Sequence, residues 1–388
     1  MKYFFVLGNH PALSIVELSA RLTILKSEYF APDIFVVEVS DLIDGEAFLA
    51  TIGGVIKMGE IITVMDNKPH QVFTGSLEIL REAPKSGKFN FGLSSYGKPR
   101  LDGKRIGLAL KQALKNEDIS CRFVTSKEKT LSSVVVEQNK LVRSGREIVY
   151  IGIGREVMIG ITKAVQPFKK LSERDYGRPA RDDRSGMLPP KLAQIMINCA
   201  KINSDEILLD PFCGSGTIIT EALLMNYKKI NGSDISAKAI SDSEENVKWL
   251  KAQYTIDTDT HLKVLDARRL SSAYKSETVS GIVTETYLGP QRGAVDLKKI
   301  SIELSLLYNQ VLQEMFSVLK KGGRAVIALP AFMRNGEPQL LKINFGALKK
   351  VSSIPSSIKI YSGITSRDSF LYGRADQKVW REIIILEK

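Results

Sequence analysis

Ile207-Leu-Leu-Asp210-Pro-Phe-Cys-Gly214-Ser-Gly216-Thr217 constrains this chain more than any other stretch. Three apolar residues run into an aspartate, then a proline, then two glycines one residue apart. An amphipathic segment follows from Ile218 to about Tyr227. The order is strand, tight loop and helix, the unit that opens a doubly wound sheet. The glycines let the backbone turn sharply and approach a ligand closely. Thr217 stands where an N-cap or first-turn residue belongs.

The pattern continues downstream. Lys229-Ile-Asn-Gly-Ser-Asp234-Ile235 reads as a second strand ending in an acid, 18 residues past Gly216. A carboxylate at that place accepts the ribose hydroxyls of a nucleoside-type cofactor. It could instead cap the next helix, although Ser236 is better placed to open Ala237–Gln253. His261-Leu-Lys-Val-Leu-Asp266-Ala267 is a third such strand. Gly281-Ile-Val-Thr284-Glu285-Thr286-Tyr287-Leu288-Gly289 is a fourth, running into a loop where chemistry belongs. A helix from Ile300 closes on Lys320-Lys-Gly322-Gly323, read as basic residues followed by a C-cap glycine. Arg324–Leu329 is strand five. Leu348–Ile360 and the strands Ser369–Tyr372 and Arg381–Leu386 are expected to close the sheet antiparallel. The fold class is therefore α/β, with a mostly parallel sheet over residues 191–388.

Upstream, residues 1–68 read as a small α+β, ferredoxin-like domain. Pro11 opens its first helix, and Ile34–Val39 and Glu60–Met65 are strands. Residues 69–168 read as a second α+β domain. Its strands are expected at Phe89–Tyr96, Arg122–Ser126, Glu147–Gly154 and Glu156–Val165, with helices from Lys104 to Asn116 and over Leu131–Lys140. A charged, Pro/Gly-punctuated linker occupies 169–190, and a helix follows from Lys191 to about Ala200.

The net charge of +12 is unevenly spread. Residues 51–200 hold 26 basic and 15 acidic side chains, whereas residues 1–50 hold 3 and 7. A basic block of this kind fits a polyanion partner or a lysine-rich solvated surface. No apolar run reaches the ~20 residues needed to span a bilayer. The start, Met1-Lys2-Tyr-Phe-Phe-Val-Leu-Gly-Asn, is too short to be a signal peptide. The dispersed Cys121, Cys199 and Cys213 form neither a disulfide framework nor a zinc site, so a reducing cytoplasm is expected.

The string Asp210-Pro-Phe-Cys-Gly-Ser-Gly-Thr217 resembles the first motif of class I S-adenosylmethionine-dependent methyltransferases that act on amino groups in nucleic acids. Asp175-Tyr-Gly-Arg-Pro-Ala-Arg-Asp-Asp-Arg-Ser-Gly-Met187-Leu188-Pro189-Pro-Lys-Leu-Ala193 is similar to the segment preceding the catalytic sheet in archaeal and eukaryotic tRNA guanine-N2 methyltransferases. The layout of 69–168 resembles the THUMP domain, an RNA-binding module. Gln377-Lys-Val-Trp-Arg-Glu-Ile383 resembles that family's C-terminal ending.

The resemblance implies methyl transfer from S-adenosylmethionine to the exocyclic N2 of a guanine in tRNA, at position 10. Met187, Leu188 and Pro189 would cover the cofactor. Asp210, Phe212, Gly214, Ser215, Gly216 and Thr217 would hold it, with Asp234 and Ile235 at the ribose and Asp266 and Ala267 at the adenine. Lys98, Arg100, Lys104 and Arg105 are candidates for RNA contact, their alternative being a solvated loop and helix start. A sulfonium methyl donor needs no metal. A small activating subunit is left open by the sequence.

The fourth loop departs from the family's Asp-Pro-Pro-Tyr-Gly, reading Glu285-Thr286-Tyr287-Leu288-Gly289. An exocyclic amine donates its lone pair into the ring and is a poor nucleophile. A carboxylate and a carbonyl accepting its N–H bonds favour a pyramidal nitrogen that can attack in line. Glu285 supplies the first acceptor and the carbonyl near Thr286 the second. Tyr287, rather than Leu288, is the residue able to stack on an extruded base. Two other readings remain: an adenine or cytosine amino-methyltransferase on DNA, and a relict methyltransferase fold that binds tRNA without turnover.

Overall fold

A computed structural model describes residues 1–30, 32–83, 87, 89–99, 101–181, 187–289, 296–351, 354 and 363–388. The first part of the chain runs β1 (Lys2–Leu7), α1 (Pro11–Arg21), β2 (Ile24–Phe30), β3 (Ile34–Val39), α2 (Gly45–Ala50) and β4 (Val55–Asp66). It continues with α3 (Pro69–Arg81), β5 (Phe89–Gly97), α4 (Gly103–Asn116), β6 (Cys121–Val124), α5 (Ser133–Gln138), β7 (Arg146–Ile153) and β8 (Glu156–Val165). These strands form one sheet in the order β2-β3-β1-β4-β8-β7-β5-β6. β4 is the join. It pairs antiparallel with β1 along one edge and with β8 along the other. The expected boundary after residue 68 falls between β4 and α3, and four strands from each side of it share the sheet.

Three elements here have no counterpart in the sequence reading. β2 is an edge strand whose side chains keep solvent contact, so no apolar alternation marks it. α3 starts at Pro69 and buries Val72, Leu77, Ile79 and Leu80. α6 (Phe168–Tyr176) occupies the first part of the expected linker and buries only Leu171 and Arg174.

The second part runs α7 (Pro190–Cys199), β9 (Ile207–Asp210), α8 (Thr217–Leu224), β10 (Lys229–Asp234), α9 (Ala237–Tyr254), β11 (Thr260–Val264) and β12 (Val279–Glu285). α10 (Leu297–Val318), β13 (Leu319–Arg334), β14 (Glu337–Leu340), β15 (Lys349–Lys350), β16 (Phe370–Tyr372) and β17 (Val379–Glu387) complete it. The sheet order is β11-β10-β9-β12-β13-β17-β15. β9 to β13 pair in parallel, and β17 runs antiparallel against β13. Helices cover both faces, which is why β9, β12 and β13 are nearly continuous apolar runs.

Lys320–Gly323 does not cap α10. The helix ends at Val318, and the glycine pair belongs to the start of β13, where Gly322 has φ +73° and donates its N–H to Lys388. The pull of a central sheet position overrides the local cap pattern. Of the expected strand Leu348–Ile360, only Lys349–Lys350 is a described strand; residues 352, 353 and 355–360 lie outside the described residues.

The two parts share a core. Phe5, Leu13 and Val16 of the first sheet layer and Leu192, Met196 and Ile385 of the second belong to one continuous apolar cluster.

Candidate active site at the carboxyl ends of the parallel strands

β9, β10 and β12 end in Asp210, Asp234 and Glu285, and Asp266 lies two residues past β11. All four acids line one cavity of about 1500 Å³. The parallel pairing places it there, outside the carboxyl edge of the sheet.

The loop after β9 closes with Gly216 N–H on the Cys213 carbonyl at 2.8 Å. Gly214 and Gly216 have φ of +51° and +83°, conformations that side chains resist. Gly216 is the N-cap of α8, so Thr217 is a first-turn residue and not the cap. Its hydroxyl instead accepts from Arg178 Nη1 at 2.5 Å. Nothing lies within 4 Å of where a Cβ on Gly214 would stand, whereas one on Gly216 would run into Ser243 Oγ. Gly214 therefore keeps the cavity open, and Gly216 allows α9 to pack against the loop without lining the cavity itself.

Asp234 is oriented by its neighbours. Its Oδ2 accepts Gly214 N–H at 3.1 Å and its Oδ1 accepts Ser236 N–H at 2.9 Å. Ser236 caps α9, as expected. Ile235 beside it is 67% exposed at the cavity mouth. Asp266 begins a 3-10 turn and is chelated by its own Arg268, with Nε at 3.0 Å from both oxygens and Nη2 at 2.5 Å from Oδ2. Arg268 holds the Asp266 carboxyl below the usual carboxylate range. Ala267 is buried and, like Phe212 and Ser215, lines the cavity.

Asp210 is buried and receives Thr284 Oγ1–H at 2.6 Å and Phe212 N–H at 3.2 Å. Burial pushes its carboxyl up to about 7, and the charges of Asp234 and Glu285 add to that. A cavity ringed by crowded carboxylates favours a cationic occupant.

The fourth loop has a partner that the sequence reading does not assign. Glu285 Oε1 accepts from Arg381 Nε of β17, and Arg381 Nη2 donates to the Met187 carbonyl at 3.3 Å. Burial raises the Glu285 carboxyl, and the Arg381 charge opposes that. Thr286 is turned inward, with its N–H and Oγ1–H both on the Ala328 carbonyl. The Tyr287 carbonyl accepts the Tyr308 hydroxyl, and its side chain is 56% exposed along the cavity. Leu288 is buried. Met187 and Leu188 line the cavity, but Pro189, the N-cap of α7, faces a second cavity.

Arg178 lies in the Asp-Tyr-Gly-Arg-Pro string and Arg381 in the Trp-Arg-Glu-Ile ending. Their partners are long-range, so spacing alone gave no role. Lys98, Lys104 and Arg105 are exposed around the start of α4, which Asp102 caps. None has an acidic partner among the described residues. Arg100 lies outside the described residues.

A family model described as the RMKL-like methyltransferase domain matches residues 178–335. The tRNA (guanine(10)-N2)-dimethyltransferase of Methanothermobacter thermautotrophicus is 32% identical over 148 residues, 38% of this chain and 40% of that protein. The probable tRNA (guanine(10)-N2)-dimethyltransferase of Methanothermococcus thermolithotrophicus is 30% identical over 138 residues, 36% of this chain and 78% of that protein. This chain belongs to the tRNA guanine-N2 methyltransferase family. The match spans less than half the length of the first of these family members. The crystal structure of TrmN from Thermus thermophilus superposes over 100% of both chains with a TM-score of 0.54 at 16% identity, so the two share the fold. No helix among the described residues is long and apolar enough to cross a membrane.

Proposed function

We propose that this chain transfers a methyl group from S-adenosylmethionine to the exocyclic N2 of a guanine in tRNA, with position 10 as the target. The observation that carries the reading is the convergence of Asp210, Asp234, Asp266 and Glu285 on one cavity beside an exposed Tyr287. The cavity suits the donor. The open space above Gly214 is a cradle that any Cβ would fill, and the excess of carboxylates matches a ligand with sulfonium and ammonium charges.

Asp234 would hold the ribose, Asp266 and the Ala267 N–H the adenine, with Phe212, Ser215 and Ile235 alongside. Met187 and Leu188 would close the cavity from above. S-adenosylmethionine supplies an electrophilic methyl on sulfur. The work of the chain is on the amine. Burial raises the Glu285 carboxyl and Arg381 opposes that, so the ionised form, reached as pH rises, accepts N–H from the target amine. Tyr308 occupies the Tyr287 carbonyl, which leaves the Thr286 carbonyl as the second acceptor. Together they draw the nitrogen toward a pyramidal shape, and Glu285 Oε2 receives the proton that the amine sheds. Tyr287 stacks on the extruded base. The 69–168 region, with Lys98, Arg100, Lys104 and Arg105, is proposed to hold the tRNA by shape and phosphate.

The test is incubation with unmodified tRNA and methyl-labelled donor, followed by digestion to nucleosides. Label in N2-methylguanosine is the expected result. Label in methylated adenosine or cytidine overturns the base assignment, and binding of both ligands without label overturns the activity.

A further inference from the structure

The donor cavity has a neighbour of about 1260 Å³, enough for a nucleoside and part of an adjoining one by the usual pocket range of about 300–1,000 Å³. Arg181, Met187 and Leu288 line both cavities. Glu285 lines only the donor cavity and Arg381 only its neighbour. The ion pair between them, braced by Arg381 Nη2 on the Met187 carbonyl, is therefore part of the partition.

The neighbouring cavity is built for a nucleic acid. His10 and Tyr372 pack ring on ring at 4.2 Å, and Lys191, Arg374 and Lys378 bring positive charge against only Asp175 and Asp376. Lys191 is half-buried and has no acidic partner among the described residues. The partition itself offers a donor and an acceptor side by side. Arg381 is almost fully buried and uses Nε and Nη2, while no partner among the described residues takes Nη1. Glu285 Oε2 likewise has no bonded partner among them.

We propose that the target guanine enters by this second cavity and that Arg381 is a specificity residue, donating from Nη1 to guanine O6 while Glu285 accepts N1–H and N2–H. This rests on the guanine-N2 reading above. The chemistry is a match of edges. Guanine shows an acceptor at O6 and donors at N1 and N2. A guanidinium fixed beside a carboxylate shows the complement, in the rigid fork that arginine alone provides. An adenine or cytosine amine can satisfy Glu285 but leaves a different pattern opposite Arg381. The pair thus positions the nucleophilic nitrogen and selects its base together. It also gives a physical reason for glutamate in place of the family's aspartate: the longer acid reaches across the partition to β17.

The experiment uses the full chain and tRNAs carrying guanosine, 2-aminopurine or inosine at the target position. 2-Aminopurine keeps the N2 amine and lacks O6 and N1–H. Wild-type kcat/KM for 2-aminopurine tRNA is expected to fall at least about 30-fold below that for guanosine tRNA, as loss of paired polar contacts in a buried site predicts. Inosine keeps O6 and N1–H, so inosine tRNA is expected to inhibit with an affinity within about 10-fold of the guanosine tRNA, since one donor is lost. In Arg381→Ala the guanosine to 2-aminopurine ratio should fall about 10-fold, the remainder being the N1–H contact with Glu285, and Arg381→Lys should restore part of the loss. Fluorescence of the 2-aminopurine tRNA reports base extrusion without turnover and is expected to rise equally with wild type and both variants. Equal wild-type turnover of the guanosine and 2-aminopurine tRNAs overturns the proposal. So does an Arg381→Ala enzyme that binds donor, extrudes the base and keeps the wild-type ratio. If wild type transfers no methyl to guanosine at all, the function reading fails before this one is reached.

Discussion

Glu285 and Asp210 are buried carboxylates with opposite company, and pH separates them. Asp210 faces two further acids, and its carboxyl sits at about 7. Raised above its unfolded value, it contributes stability that is full below about pH 4 and lost as pH climbs through about 7. A cationic donor reverses that tendency by favouring the ionised acid. Donor affinity measured by calorimetry is therefore expected to tighten about 10-fold from pH 6 to pH 8, and Asp210→Asn should flatten the dependence. An unchanged affinity would show that Asp210 does not face the donor's charge. Glu285 must also ionise, but Arg381 assists it. Turnover should rise with pH through the raised Glu285 carboxyl value. Glu285→Gln should abolish that limb and lower kcat about 100- to 1,000-fold, with donor affinity within about 3-fold. Of this site, the four acids and Tyr287 are legible in the sequence, because each follows an apolar strand in order. Arg381 is not legible, since it lies 96 residues from Glu285 and meets it only through antiparallel pairing of β17.

The glycine loop shows how one element separates structural from functional demands. At Gly216 the left-handed backbone and the contact with Ser243 both oppose a side chain. Gly216→Ala is expected to destabilise the fold by about 2 kcal/mol or more, read from chemical denaturation. Gly214 shares the backbone conformation, but its missing Cβ looks onto open space. Gly214→Ala should cost about 1–2 kcal/mol of stability and weaken donor affinity far more than that loss explains. Equal effects of the two substitutions on donor affinity would contradict this division. Elements of this kind are readable from sequence because glycine, proline and a following helical period act locally. The end of α10 is the counterexample. Lys320-Lys-Gly-Gly carries every local sign of a helix stop, yet the chain is already in strand there because β13 must reach the middle of the sheet. β2, at an exposed edge, lacks the alternation that would have announced it.

At the scale of the whole molecule, the seam between the two sheets behaves as core. α1 packs on α7, and Glu17 on α1 accepts Gly53 N–H at 2.9 Å, Gly54 N–H at 2.7 Å and Asn198 Nδ2–H at 2.7 Å. A Cβ on Gly53 would collide with the Lys191 carbonyl, so the loop between α2 and β4 is in backbone contact with α7. Sequence composition divides the chain at this seam, because a charged linker looks like a boundary and the Glu17–Asn198 contact across it spans 181 residues. Physically, a continuous apolar cluster with a buried carboxylate knot should melt as one unit. Calorimetry is expected to give a single transition for wild type. Glu17→Ala leaves two glycine N–H groups and one hydrogen of the Asn198 amide without an acceptor, the other still bonded to the Thr51 carbonyl at 2.8 Å, at a cost of about 2–4 kcal/mol. That loss falls on the seam and not inside either sheet. The variant should therefore unfold in two resolved steps, with the first sheet released before the catalytic one, and should lose turnover on tRNA while still binding donor. A wild type that already melts in two steps, or a Glu17→Ala chain that melts in one at unchanged temperature, would mean the two sheets touch without being joined.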